Sequence, residues 1–116
     1  QAPISITNMR FIQQDDCVEA FVTFYRGRVK KTVDATGNGS LDAVSNALKS
    51  FTGDVYKLRV YTEHSMHGQC SGSTAAAYIG LEDSKGNMSW GAGTSTDITK
   101  AGIHALISAY NNMIRG

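Results

Sequence analysis

Residues 17 to 25, "CVEAFVTFY", place Val18, Ala20, Val22 and Phe24 on one side by strict alternation, which predicts a half-buried strand. The segment "RGR" turns the chain into a second strand, Arg28 to Ala35, and an earlier strand covers Ile4 to Ile12. After the glycine loop "TGNGS", Leu41, Val44, Leu48 and Phe51 recur at steps of three, four and three, the stripe of an amphipathic helix. The second half follows the same order. It predicts strands at Val55 to His64, Thr74 to Asp83 and Met88 to Gly93, a turn at "SKGN", and a helix from about Thr96 to Ile114.

A shift of about 59 positions lays Gly27 on Gly86, Ala43 on Gly102, Val44 on Ile103, Leu48 on Ile107 and Phe51 on Tyr110. The chain therefore contains two β-β-β-α units, about 4–51 and 55–115, separated near Phe51 to Asp54. Three strands and one helix bury a helical stripe poorly by themselves, so the expectation is one α+β domain over residues 1–116, with sheets packed on helices.

Length and composition narrow the class. At 116 residues the chain suits one ordinary domain and is too short for a catalytic α/β barrel. Apolar residues make up 41% and charged ones 18%, enough to bury a core. The formal net charge of +1 gives no field for a phosphate backbone, so nucleic acid is not expected as a partner. The short basic run Arg26 to Lys31 alternates around Val29 and Val33, as the solvated face of an edge strand does. No apolar stretch has membrane-spanning length and no signal peptide is seen. Two cysteines, Cys17 and Cys70, fit free thiols in a reducing cytoplasm. A start at Gln1 rather than Met fits a piece of a larger protein.

The glycine loop is the first candidate for chemistry. A helix start exposes unpartnered N–H groups and the positive end of the helix dipole, which attract carboxylates and phosphates. Gly37 and Gly39 let backbone approach such an anion, and Asn38 or Ser40 can cap the helix. An ordinary turn uses the same residues. The second unit repeats the pattern at "GAGTSTDI", where Gly91 and Gly93 precede Ser95, Thr96 and Asp97.

"GNGSLDAVSNAL", "YTEHSMHGQCSGSTAAAYIGL", "WGAGTSTDI" and "AGIHALISAYNNM" together resemble the C-terminal regulatory domains of the 2-isopropylmalate synthases, over about Phe11 to Arg115. The regulatory domain of citramalate synthase, which answers to isoleucine, is a close relative; "YTEHS" followed by "AAAYI" looks more like the former. The resemblance implies a dimeric, leucine-binding module that carries feedback inhibition to a catalytic domain of the parent chain. That domain condenses acetyl-CoA with 2-oxoisovalerate on a divalent metal. The module itself is expected to catalyse nothing and to hold no cofactor.

Carried over by motif, the effector site falls on Gly37, Asn38, Gly39, Asp42 and Leu48, on Tyr61 and Ser65, on Ser73 and Ala75, and on Thr96 and Ile98. In this scheme N–H groups at the helix mouths receive the effector's carboxylate and Asp42 or Asp97 faces its ammonium. Ala75, Leu48 and Ile98 enclose its branched side chain. Alternation puts Tyr61 on the strand face opposite Leu58 and Val60, with Arg59 and Glu63, where a solvated amphipathic tyrosine is the plainer alternative. Ser73, Ala75, Ala77, Ile79 and Leu81 share a face that is small at one end. It leaves room for a ligand near Ala75 or permits close helix-sheet contact. Two departures from the family pattern stand out: Ser40 replaces a frequent Pro, and "HGQCSGS" is one residue longer.

Other chemistry is weaker. His64, His67 and Cys70 are spaced by threes, but a structural zinc site needs four ligands and no fourth is near. His104 is an ordinary helix residue. No nucleophile motif such as G-x-S-x-G occurs, and Trp90 and Tyr110 are assigned to the core. The competing functions are a pure oligomerisation domain and an independent small enzyme, the latter without an acid-base constellation.

Overall fold

Two runs of three strands and a helix follow one another along the chain: β1 (Ile4–Gln13), β2 (Val18–Arg26), β3 (Val29–Gly37), α1 (Ser40–Thr52), β4 (Tyr56–His67), β5 (Ser73–Asp83), β6 (Met88–Ser95) and α2 (Ile98–Arg115). The computed structural model describes residues 2–67 and 73–115, and of residues 65–67 and 73 the backbone alone. The fold is α+β, as the periodicity predicts. The chain divides between Asp54 and Val55 into two compact units, each with an antiparallel sheet in the order of its sequence.

In the first unit β2 is the central strand. Its alternation sends Val18, Ala20, Val22 and Phe24 into the core, where they meet Ala43, Val44, Ala47 and Leu48 of α1. The Phe24 and Phe51 rings stack with centroids 5.1 Å apart. Burying each large side chain of this set contributes about 1.5–3 kcal/mol. A two-residue turn joins β2 to β3, and Gly27, at φ 61°, takes the left-handed position it requires. β3 is an edge strand, and Val29 to Thr32 on it are exposed. Helix α1 ends at Gly53, φ 75°, whose N–H donates to the Lys49 carbonyl.

In the second unit Ala75, Ala77, Ile79 and Leu81 of β5 line the face beneath α2, with Ile103, Leu106 and Tyr110 buried above. The hairpin to β6 is held by Asp83, whose carboxylate accepts the N–H groups of Lys85 and Asn87. The Asn87 N–H, first among several causes, holds that carboxyl below the usual range. Residues Gly91 and Gly93 do not form a helix mouth. They lie within β6 under α2, where a Cβ on Gly91 would stand 2.2 Å from the Ala109 nitrogen and one on Gly93 2.5 Å from the Ala105 nitrogen. Ala101, Ala105 and Ala109, one turn apart, complete this contact between backbones.

The same alternation corrects Trp90. It neighbours Gly91 on β6 and so points away from α2, 54% exposed, lying over Gly80 of β5 rather than in the core. Tyr110 is buried as expected. Among the described residues no helix is long and apolar enough to cross a membrane.

Candidate functional site

The expected site residues fall into one set in each unit. In the first, Gly37 closes β3 and Gly39 is the N-cap of α1, with extended backbone and no side-chain cap. The Asn38 N–H donates to Asp42 Oδ2 at 2.9 Å, and the Gly39 carbonyl accepts the Ala43 N–H at 2.9 Å. Gly37 is needed here because a Cβ would sit 2.4 Å from the Ala43 nitrogen and 2.8 Å from that same carboxylate oxygen. The turn thus carries its own acid, folded back on backbone, while the first N–H groups of the helix receive no cap from Gly39. Asn46, which the sequence did not single out, ties the helix to the end of β3 by donating to the Thr36 carbonyl at 2.8 Å. Leu48 is fully buried on the sheet side of α1.

The mouth of α2 is different. Asp97 Oδ1 accepts the N–H groups of Thr99 (2.8 Å) and Lys100 (3.3 Å), and Ser95 Oγ accepts that of Asp97 (3.2 Å). Its donors are therefore satisfied by the helix's own N-cap carboxylate. An incoming carboxylate would meet that negative charge. Thr96 is exposed beside it, and Ile98, the first helical residue, is 38% exposed.

A β-bulge between Leu58 and Val60 changes where Tyr61 points. Leu58 pairs with Leu81 and Tyr61 with Ile79, so one extra residue puts both on the face covered by α2. Tyr61 does not lie opposite Leu58. Its hydroxyl would stand 3.1 Å from a Cβ on Gly102 of α2, and it donates to the Glu63 carboxylate. Burial first, and then Glu63, push the Tyr61 hydroxyl up to about 12. Glu63 pairs with Ala77 and Ser65 with Ala75, so these positions continue the same face. Ala75 is 6% exposed. The side chains of Ser65 and Ser73 lie outside the described residues. Alternation alone placed Glu63 on the same face as Tyr61, but it missed Gly102 as a neighbour of Tyr61, because the bulge at Arg59 turns that face toward α2.

Of the residues set aside as metal ligands, His64 packs against the Tyr78 ring at 5.6 Å, while the His67 side chain and Cys70 lie outside the described residues. Among the described residues no group of three His, Cys, Asp or Glu is placed to hold a metal ion. Cys17 is half-buried and its thiol donates to Gln14 at 3.4 Å. His104 is exposed on α2, near the Thr94 carbonyl.

The family model described as LeuA allosteric (dimerisation) domain matches residues 2–114. The 2-isopropylmalate synthase of Desulfitobacterium hafniense (strain Y51) is 36% identical over 113 residues, 97% of this chain and 20% of that protein. That of Corynebacterium efficiens is 41% identical over 86 residues, 72% of this chain and 14% of that protein. The enzyme of Saccharomyces cerevisiae is 32% identical over 87 residues, 71% of this chain and 14% of the relative. The chain spans no more than a fifth of the length of these relatives.

Proposed function

The chain belongs to the LeuA allosteric (dimerisation) domain family, the regulatory domain of 2-isopropylmalate synthase, and we propose that it binds leucine as a feedback effector within a homodimer. The parent, in this proposal, is a cytoplasmic enzyme condensing acetyl-CoA with 2-oxoisovalerate on a divalent metal in its catalytic domain. The residues proposed to contact the effector are Gly37, Asn38, Gly39, Asp42 and Leu48 in the first unit. In the second they are Tyr61, Ser65, Ser73, Ala75, Thr96, Asp97 and Ile98.

One observation carries the proposal. Of two helix mouths built on related units, α2 is capped by its own Asp97, whereas α1 opens on Gly39 with no side-chain cap and with Asp42 drawn back onto Asn38. Backbone N–H groups at such an end suit a carboxylate. The relatives above are all 2-isopropylmalate synthases, which favours leucine over isoleucine.

At about 1 kcal/mol per heavy atom, a ligand of this size binds with roughly micromolar strength. Calorimetric titration of a dimeric sample tests the proposal, with leucine expected to bind more tightly than isoleucine. No heat and no thermal shift with leucine at millimolar concentration would refute it. A dimer unresponsive to either amino acid would be a pure oligomerisation domain.

A further inference from the structure

Strand β5 is apolar on both of its faces. Ala75, Ala77, Ile79 and Leu81 face α2, and Ala76, Tyr78 and Gly80 take the opposite side, where an antiparallel strand that faces water ordinarily carries polar residues. The register places Met88, Trp90 and Ala92 of β6 and Val60, Thr62 and His64 of β4 around them. We propose that this outer face of the β4–β5–β6 sheet is the surface through which two copies of the chain join, with Trp90 as its anchor. The inference rests on the homodimer reading given above and names the surface that reading requires.

The face is flat and aromatic. Gly80 has no side chain, and Trp90 and Met88 lie over it: a Cβ there would stand 2.7 Å from Trp90 Cζ3 and 3.0 Å from Met88 Cε. Tyr78 packs against the His64 ring with centroids 5.6 Å apart. Even so, Tyr78, Met88 and Trp90 all remain exposed. The acids and bases on this side, Lys57, Arg59 and Glu82, stand toward the Tyr56 end of the sheet, where Arg59 and Glu82 pair with each other. An aromatic centre with its charges at the margin is the composition of a protein–protein contact.

The first unit shows that the fold does not require such a face. On the outer side of β2, the Arg10 guanidinium lies 4.6 Å from the centre of the Phe21 ring and the Lys30 ammonium 5.7 Å from that of Tyr25. Between them Thr23 and Thr32 share a hydrogen bond of 2.8 Å. Each ring there is covered by a cation that stays in water. Among the described residues no cation covers Trp90 or Tyr78. The occupant that fits is a second copy, because the family model matching residues 2–114 is that of a dimerisation domain. A centre without Lys, Arg, Asp or Glu also meets its own image in a two-fold contact without repulsion.

Sedimentation equilibrium of the wild-type chain, Trp90→Glu and Val29→Glu tests the assignment. Val29, as exposed as Trp90 but on β3, is the control. Wild type and Val29→Glu are expected to be dimers. Trp90→Glu weakens the dimer by about thirtyfold for the loss of one hot-spot side chain, and by up to about a thousandfold because a symmetric contact contains it twice. Trp90 is the sole tryptophan of the chain, so wild-type emission is expected to move to longer wavelength as dilution dissociates the dimer. Circular dichroism checks the fold of each variant. If Trp90→Glu is unfolded, Ala92→Arg, at an exposed position of the same face, decides in its place. The surface assignment is overturned, while the homodimer reading stands, by a folded Trp90→Glu or Ala92→Arg chain as dimeric as wild type. Tryptophan emission unchanged on dissociation, or equal loss of the dimer in Val29→Glu, has the same consequence. A wild-type chain that stays monomeric at every concentration overturns both.

Discussion

Replacing Gly91 by Ala puts one methyl group where β6 and α2 touch through backbone alone. The added carbon would stand 2.2 Å from the Ala109 nitrogen and 2.6 Å from the Ala105 oxygen, whereas carbon contacts settle at roughly 3.5–4.0 Å. The helix must therefore retreat by about 1 Å along its contact with the strand. Ala101, Ala105 and Ala109, all fully buried, would lose close packing together. Neither obstructing atom is the end of a flexible side chain, so the strain belongs at the upper end of overpacking costs, about 3 kcal/mol. At about 4 °C per kcal/mol for a chain of this size, the melting temperature falls by roughly 12 °C. Gly39→Ala is the control. Nothing lies within 4 Å of its added Cβ and its φ of −151° is extended, so the cost stays below about 1 kcal/mol. Thermal unfolding followed by circular dichroism compares the two, and a G91A variant melting alongside G39A would refute backbone contact between β6 and α2.

Other outcomes follow from single features. Asp97→Ala removes the cap of α2 and is expected to cost about 1 kcal/mol in denaturant unfolding, with Asp97→Asn recovering most of it. Leu48→Ala empties a fully buried site under α1 and costs about 2–5 kcal/mol in the same assay. Tyr61 has a folded pKa near 12 against an ordinary 10.0, so its contribution is complete below pH 10 and is lost as pH rises from 10 to 12. Ultraviolet titration should show a late-ionising tyrosine component that Tyr61→Phe removes; an unchanged titration curve in Tyr61→Phe would contradict it.

The strands and helices were largely legible because alternation in β2 and β5 and the helical stripe in α1 are direct images of one-sided burial. Val18 to Phe24 and Ala75 to Leu81 face the core as their spacing demands. Hairpin glycines 27 and 86 also announced themselves, and both adopt positive φ. What the sequence hid were departures from regularity. Arg59 carries no mark of a bulge, yet the extra residue reverses the side to which Tyr61 points. Gly91 and Gly93 look like the lead-in to a helix because glycine signals both a loop and a close backbone approach; only the neighbouring helix distinguishes them. The cap role of Asp97 was also hidden: its carboxylate, one residue before α2, accepts the N–H groups of Thr99 and Lys100.

The junction of β6 with α2 bears on how such a module can move. Side chains between two elements ordinarily absorb small displacements by changing rotamer. Gly91 and Gly93 leave no side chain on the strand to do so, and the alanines opposite have no rotamers to change. At this contact, therefore, strand and helix have no side chain between them to take up a displacement.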